Sequence, residues 1–249
     1  MTTGLPTVFH ITHWKSGSQW VRGVFKHLTP DRLVHTKPDM SNVSDEQIRP
    51  GAIYSAVYMP TQWFYDQVTD NPDHRFIIVI RDLRDTAISW YFSIKHSHGK
   101  VDDKRGDDLI NDYRRRFQEL SIQDGLALAV EERLDPMANI QLTWLSASDD
   151  RHLLLRYEDL IRDEHAAFNR MFDFAEVKAD QEARTKAIES ESFANRSGRD
   201  RGQEDITSHH RKGVSGDWRN YFDDRLKEIF KAKFGQTLID TGYESDLDW

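Results

Sequence analysis

The chain has 249 residues, a formal net charge of -8 at pH 7 and no cysteine. This length is sufficient for one substantial hydrophobic core, so we expect one domain over residues 1–249. The negative net charge disfavours nucleic acid as a partner, although a local cationic pocket can exist within that average. The absence of cysteine excludes disulfides, thiolate metal sites and a cysteine nucleophile, and it makes a reducing compartment the simplest expectation.

The sequence contains no apolar run of about 18 residues, which a membrane-spanning helix would need. Its first residues also lack the basic segment followed by an apolar one that marks a secretory signal. We therefore expect a soluble protein of the cytoplasm that has no membrane partner.

Residues 8–25 join a β-branched and aromatic run to a Lys15-Ser16-Gly17-Ser18 turn, and apolar residues at helical spacing follow. This pattern predicts a strand, a loop and a helix, which is the geometry of a phosphate-binding loop. The N–H groups and the dipole at the start of the helix favour an anion, and Lys15 adds a positive charge. The lysine precedes the glycine, so the GxxxxGK[ST] spacing of nucleotide triphosphatases is not present. An ordinary turn with a surface lysine is the alternative interpretation.

Further along the chain, apolar runs alternate with helical patterns. The predicted strands are residues 32–36, 52–58, 76–80 and 152–157, and the helical segments are 109–133, 136–147 and a stretch ending at Phe174. This alternation predicts an α/β fold, a P-loop-like three-layer domain with a mainly parallel central sheet flanked by helices. Residues 97–108 and 190–210 are polar and are expected to be loops, the first of them a lid or simply a solvated surface loop.

Two further stretches carry the chemistry of anion binding. Arg81 directly follows the strand at 76–80, and Asp82 can cap the helix that contains Ser89. Near the end of the long polar loop, Arg211 and Lys212 supply charge, and the glycine after them allows a ligand to approach the backbone closely. A basic patch on the surface is the alternative for this last segment.

Three stretches of the chain together resemble sulfotransferases that use 3′-phosphoadenosine-5′-phosphosulfate (PAPS). Residues 12–20 are similar to the 5′-phosphosulfate loop of that family, 80–91 to its 3′-phosphate motif, and 211–218 to the Arg-Lys-Gly…Gly-Asp-Trp motif of the cytosolic branch. The resemblance therefore spans residues 12–218. It implies transfer of a sulfuryl group from PAPS to a hydroxyl or amine of an acceptor, release of adenosine 3′,5′-bisphosphate (PAP), and no required metal.

The resemblance also assigns roles to individual residues. Lys15 and Ser89 would take part in catalysis, Trp20 would stack on adenine, and Phe193 would lie near the base. For Trp20 and Phe193, packing in the core is the alternative. The residues that the resemblance implies for PAPS binding are Lys15, Ser16, Gly17, Ser18, Gln19, Trp20, Arg81, Ser89, Tyr157, Phe193, Arg211, Lys212 and Gly213.

The general base of the family is missing from its usual place. The cytosolic branch has a Lys-Thr-His-Leu-Pro motif, and the corresponding residues 56–60 carry Tyr58 where the catalytic histidine would stand. A tyrosine with an ordinary pKa near 10 is a poor base at neutral pH. His35 and Asp39 lie at and after the end of the second predicted strand, and in a parallel sheet such strand ends are where groups around a pocket collect. They are our candidates: His35 has an ordinary pKa suited to neutral pH, and the glycosaminoglycan-type branch has a carboxylate base in a broadly similar position. His96 and His98 are the next candidates.

The acceptor and the oligomeric state stay open. Residues 223–224 are Asp-Asp where the family's dimerisation motif would need Thr-Val, so the sequence does not predict a dimer through that surface. The acceptor is a small molecule or a glycan of unidentified structure. Two other classes of protein are alternatives, namely a small-molecule kinase with a P-loop-type fold and a non-catalytic nucleotide-binding module.

Overall fold

The computed structural model describes residues 4–36, 43–99, 104–147 and 149–249. The chain forms two compact units, the first made of Met1–Arg81 and Asn139–Asn195, the second of Asp82–Ala138 and Arg196–Trp249. One domain over the whole chain stays a prediction. None of the helices in the described ranges is long and apolar enough to cross a membrane.

The helices and strands alternate along much of the chain. The strands are β1 (Thr7–Thr12), β2 (Leu33–His35), β3 (Ile53–Val57), β4 (His74–Ile80) and β5 (His152–Arg156). The α-helices are α1 (Ser18–Leu28), α2 (Thr61–Tyr65), α3 (Leu83–Phe92), α4 (Lys104–Glu119), α5 (Ile122–Arg133), α6 (Asp135–Leu145), α7 (Tyr157–Arg162), α8 (Glu164–Phe174), α9 (Gln181–Ser190), α10 (Phe193–Ser197) and α11 (Asp224–Asp240).

All five strands form one sheet in the first unit, in the order β2-β3-β1-β4-β5. Every neighbouring pair is parallel. The predicted α/β fold with a parallel sheet is therefore confirmed. The strands β3 and β4 lie on opposite sides of β1, so the order of strands along the chain reverses at β1. This creates a crevice beside the carboxyl end of β1. In open parallel sheets, ligands bind at such a position.

Helices cover both faces of the sheet. On one face, side chains such as Val8 and Ile77 pack with Val24 of α1 and Phe172 of α8. On the other face, aromatic rings pack together, and Trp144 of α6 also donates a hydrogen bond of 2.6 Å to the Met59 carbonyl. Apolar residues on both sides explain why the run at 76–80 lacks the alternation of a half-exposed strand.

The second unit is helical and contains the end of the predicted 3′-phosphate motif. Asp82 caps α3 by accepting a hydrogen bond of 2.8 Å from the Arg84 N–H. The Arg84 guanidinium lies between two tryptophan rings, 3.9 Å from Trp218 and 4.4 Å from Trp249. It also forms ion pairs with Asp82 and Glu244. These contacts hold the start of α3 against the Gly-Asp-Trp segment.

Several predicted boundaries were wrong, and helix caps account for two of them. The helix expected over 109–133 ends at Glu119 and restarts after Ser121, whose Oγ accepts from the Asp124 N–H. The helix expected to run to Phe174 is likewise interrupted at Asp163, which caps α8. A short polar side chain that can accept from a backbone N–H favours a new helix start over continuation.

The two predicted loops were also partly wrong. Residues 104–108 belong to α4, so the loop predicted over residues 97–108 does not include them; residues 100–103 lie outside the described part of the chain. The polar stretch 190–210 contains α10. Polar composition alone did not distinguish an exposed helix from a loop in either segment.

Candidate functional site

The predicted phosphate-binding loop connects β1 to α1. Lys15 has φ 71° and Gly17 has φ 86°, so both residues adopt the left-handed conformation. Gly17 precedes the first residue of α1, and a Cβ at this position would lie 3.0 Å from the Tyr157 ring. For Lys15 the left-handed region costs about 1–2 kcal/mol. A strained backbone at the amino end of a helix, with no acidic residue in its first turn, is an arrangement that can bind an anion.

Hydrogen bonds hold this loop in place. Ser16 donates from Oγ to the His13 carbonyl at 2.6 Å, and Thr12 donates from Oγ1 to the Val79 carbonyl of β4 at 3.0 Å. Arg81 donates from Nη1 to the Lys15 carbonyl at 2.8 Å. The Ser16 hydroxyl is thus engaged within the loop, and the group that Ser16 can offer a ligand is its backbone N–H.

Arg81 joins the loop to the end of β4. Its side chain is buried, and the guanidinium carbon lies 4.2 Å from the centre of the Tyr157 ring. Tyr157 starts α7, directly after β5. Three residues that the resemblance assigned to nucleotide binding, Lys15, Arg81 and Tyr157, therefore come together at the carboxyl ends of neighbouring strands.

Tyr58, which stands in place of the family's histidine, contacts the first residue of α1. Its hydroxyl donates a hydrogen bond of 2.8 Å to Ser18 Oγ, and its ring stacks on Trp14 at 5.1 Å between centroids. Burial raises the pKa of Tyr58, and this effect exceeds the opposing effect of the hydrogen bond to Ser18. Tyr58 is thus a neutral donor at pH 7. The sequence identified the missing base but did not indicate this contact.

The predicted adenine-binding residues are partly packed in the first unit. Trp20 is half-buried, and its ring meets Phe168 edge-on at 5.2 Å and Tyr157 at 6.5 Å. Phe193 is 9% exposed. Gln19 is exposed and accepts a hydrogen bond from Arg22. Packing in the core is thus one reason for aromatic residues at positions 20 and 193. The roles of Trp20 and Phe193 toward adenine stay predictions.

The candidate bases differ in their surroundings. His35 is exposed, and Arg22 Nη1 lies 2.7 Å from its Nε2. Partial burial and the Arg22 charge lower the pKa of His35. Asp39 lies outside the described residues. In the second unit, burial and the nearby Lys95 lower the pKa of His96, and the His98 carbonyl accepts a hydrogen bond of 2.6 Å from Arg114.

In the second unit, the predicted 3′-phosphate donors are paired with carboxylates. Arg211 and Lys212 both bind Asp217, and Arg211 also binds Glu204. Although burial opposes it, hydrogen bonds from Lys212 and Arg211 lower the pKa of Asp217. Gly213 has φ 68°, a conformation that favours glycine. The cationic side chains are therefore gathered at one point and held by fixed negative charges.

The same segment is attached to the helix that carries Ser89. The Asp85 carboxylate of α3 accepts hydrogen bonds from the N–H groups of Gly216 at 2.6 Å and Trp218 at 2.9 Å. The Arg211 guanidinium also lies 4.8 Å from the Phe92 ring at the end of α3. Parts of two predicted motifs, separated by more than a hundred residues, thus meet in this unit, and the sequence did not single out Asp85.

His13 and Gln141 are two more residues near the loop that sequence reasoning missed. Both are fully buried, and the Gln141 amide lies 2.9 Å from His13 Nε2. In the described part of the chain, no group of three or more histidine and carboxylate side chains is arranged to hold a metal ion. Independence from metal stays a prediction.

A parallel sheet with a predicted phosphate-binding loop after β1 defines the class of P-loop-like α/β proteins. The sequence profile described as "Sulfotransferase domain" matches residues 5–242. The chain belongs to this sulfotransferase domain family.

Curated relatives of this chain include two mammalian sulfotransferases. Human sulfotransferase 1C2 is 23% identical over 270 residues, covering 92% of this chain and 83% of that protein. The rat sulfotransferase 1C2 is 24% identical over 259 residues, with the same coverage of 92% and 83%. Among solved structures, mouse sulfotransferase SULT7A1 complexed with PAP has a TM-score of 0.64 at 17% identity, covering 96% of this chain and 86% of that one.

A second solved structure is retinol dehydratase in complex with androsterone and the inactive cofactor PAP. Its TM-score is 0.56 at 19% sequence identity, and the similarity covers 93% of this chain and 80% of that one. At these identities the structural similarity shows a shared fold. Membership of the family supports sulfuryl transfer in general.

Proposed function

We propose that this protein transfers a sulfuryl group from PAPS to a hydroxyl or amine of a small-molecule or glycan acceptor and releases PAP. The observation that carries the proposal is the hydrogen bond between Arg81 and the Lys15 carbonyl. It joins the predicted 5′-phosphosulfate loop to the predicted 3′-phosphate motif in a folded arrangement. The left-handed Lys15 and Gly17 fit the same interpretation, since they turn the loop at the amino end of α1.

The residues of the loop would bind the 5′-phosphosulfate and stabilise the transition state. Backbone N–H groups at the start of α1 and the Ser18 hydroxyl are donors for phosphate oxygens. During transfer, the sulfur–oxygen bond to the phosphate breaks as the bond to the acceptor oxygen or nitrogen forms. Negative charge then grows on the leaving phosphate, where the Lys15 ammonium group is most effective.

The 3′-phosphate would be held by Arg81, Ser89, Arg211, Lys212 and Gly213, as the resemblance implies. A phosphate dianion is a stronger partner for Arg211 than a carboxylate, because it offers more acceptor oxygens and more charge. We infer that PAPS would compete with Glu204 for Arg211, while the buried Asp217 keeps Arg211 and Lys212 together.

The acceptor must lose a proton, and His35 and Asp39 are the proposed bases. Tyr58 is not proposed for this role, because its raised pKa keeps the phenol neutral at pH 7. A small apolar acceptor would be in keeping with retinol dehydratase, whose structures contain androsterone or retinol. Location in the cytoplasm stays a prediction, and the oligomeric state stays open.

A screen of acceptors with ³⁵S-labelled PAPS tests the proposal. We expect transfer of label to at least one phenol, alcohol, amine or glycan, with PAP as the other product. Magnesium-dependent turnover with ATP instead would indicate the small-molecule kinase. Binding of PAP without transfer to any acceptor would favour the non-catalytic module, for which the loss of the family's histidine at position 58 is the specific observation.

A further inference from the structure

Gln141 of α6 links two ends of the candidate site from within the core. Its side-chain nitrogen lies 2.9 Å from His13 Nε2 and 2.9 Å from the Arg81 backbone carbonyl. The orientation of the Gln141 amide follows from its partners. If the amide were flipped, its oxygen would face the Arg81 carbonyl oxygen, and two acceptors cannot form a hydrogen bond. The –NH₂ group therefore donates one hydrogen to each partner.

The same reasoning fixes the tautomer of His13. Its Nδ1 lies 2.9 Å from the Trp14 carbonyl, which can only accept, so Nδ1 carries the proton. Its Nε2 then accepts from Gln141. Burial lowers the pKa of His13 to about 4, and the Arg81 charge acts in the same direction. At neutral pH, His13 is therefore an uncharged ring with one donor and one acceptor, both engaged.

These contacts enclose Lys15. The Trp14 carbonyl belongs to the peptide bond before Lys15 and is held by His13, whereas the Lys15 carbonyl is held by Arg81. Gln141 connects the His13 ring to the Arg81 backbone. The peptide bonds on both sides of a residue with φ 71° are thus tied to one buried network. Surrounding contacts of this kind are needed to keep a lysine in the left-handed region.

Gln141 pairs two buried acceptors while its own side-chain oxygen stays unpaired. Among the described residues, its Oε1 atom is buried and has no hydrogen-bond partner. An apolar side chain of similar volume would avoid that cost, but it would leave His13 Nε2 and the Arg81 carbonyl without their donor. The two donated hydrogen bonds are therefore the feature that an apolar residue would lack.

We propose that Gln141 and His13 are positioning residues that fix the Lys15 backbone and thereby aim its ammonium group at the leaving phosphate. This inference rests on the proposed function and deepens it. Gln141 is fully buried, so it would not contact the ligand itself. It acts through the tautomer of His13 and the carbonyl of Arg81.

The first experiment reads the network directly, by ¹⁵N NMR of histidine side chains in the full-length protein. In the wild type at pH 7, we expect the His13 ring to be a single tautomer with the proton on Nδ1. In Gln141→Leu, Nε2 loses its hydrogen-bond donor while Nδ1 keeps its proton, so the Nε2 resonance should move away from its wild-type position. An unchanged Nε2 resonance in Gln141→Leu would overturn the inference.

The second experiment separates positioning from binding. Gln141→Leu keeps most of the volume and removes both donated hydrogen bonds. We expect kcat for sulfuryl transfer to fall about tenfold or more, because small misplacements of a reacting group are costly. The Kd for PAP, measured by calorimetry, should change less than about threefold. Equal loss of kcat and PAP affinity would overturn the inference, since it would indicate general damage to the site.

Asn139→Ala is the matched control, because Asn139 is an exposed residue on α6, the helix that also carries Gln141. It should leave the His13 Nε2 resonance and the kinetic constants unchanged. The two sets of measurements also separate this inference from the proposed function. A wild-type protein that neither binds PAP nor transfers a sulfuryl group would refute the proposed function, whereas the His13 spectrum tests the contact between Gln141 and His13 independently of any transfer.

Discussion

Arg81 and Lys15 are 66 residues apart in the sequence, and a hydrogen bond of 2.8 Å joins the Arg81 guanidinium to the Lys15 carbonyl. An arginine that the resemblance assigns to the 3′-phosphate thus also fixes the backbone of the 5′-phosphosulfate loop. Since Arg81 would then serve both phosphate sites, its substitution would disturb both. Arg211 and Lys15 are therefore better positions for testing the two phosphate sites separately.

Lys15→Met should lower kcat far more than the affinity for PAPS. The methionine keeps a long flexible side chain, but the charge that stabilises the leaving phosphate is lost, and such transition-state interactions act mainly on kcat. Steady-state kinetics with PAPS, together with the Kd for PAP, check this prediction. Lys26→Met, at an exposed position of α1, is the control. An unchanged kcat in a folded Lys15→Met variant would remove Lys15 from the mechanism.

Arg211→Ala should weaken binding of PAP while leaving adenosine 5′-phosphosulfate nearly unaffected. Only PAP carries the 3′-phosphate, and a charge-assisted hydrogen bond to it contributes about 1.5–3 kcal/mol, or roughly tenfold to a hundredfold in Kd. Calorimetry with both ligands measures the difference. Arg225→Ala controls for loss of a surface arginine in the same unit. Equal weakening for both ligands would count against a 3′-phosphate role.

Tyr58→Phe should raise KM for PAPS a few-fold and leave the pH profile unchanged. The Tyr58 hydroxyl donates a hydrogen bond to Ser18 Oγ, so the Ser18 hydroxyl can donate its own proton to a ligand oxygen. Phenylalanine removes the Tyr58 donor but retains the ring that stacks on Trp14. Tyr65→Phe, on α2, is the matched control. A fall in kcat of about a hundredfold or more, with loss of a limb of the profile, would instead indicate a base.

The parts of the fold that could be predicted are those set by residues close together in the sequence. The strand, loop and helix at residues 8–25 were predictable because the spacing of apolar residues changes from that of a strand to that of a helix at the Lys-Ser-Gly turn. The buried strand at 76–80 was predictable because it is apolar throughout. The caps at Ser121 and Asp163 were also visible in the sequence. The apolar spacing of a helix continues on either side of each cap, so the spacing alone predicts one unbroken helix.

The contacts that shape the site join residues far apart in the chain. Tyr58 and Ser18 are 40 residues apart, and Gln141 and His13 are 128 apart. No local pattern relates such pairs, because they meet only when the parallel strands and their covering helices assemble. The residue types of the binding motifs were therefore predictable, whereas the residues that orient them required the structure.

The acceptor proton is the subject of the last prediction. If His35 is the base, kcat/KM should fall as the pH drops below the pKa of His35, because the protonated ring cannot accept a proton. Partial burial and Arg22 lower this pKa, so the acidic limb of the profile should lie below pH 6.5. Arg22→Gln should move that limb to higher pH, because removal of the neighbouring positive charge raises the pKa of His35.

The pH profile of kcat/KM for the wild type, His35→Ala and Asp39→Asn decides between the candidates. The variant that removes the true base should lose at least about tenfold in rate at pH 7 and lack the acidic limb. His165→Ala, at an exposed position of α8, is the control. If neither variant has these effects, both candidates are excluded. His96 and His98 are then tested next, and a phenol-like acceptor, which ionises readily, would need no strong base.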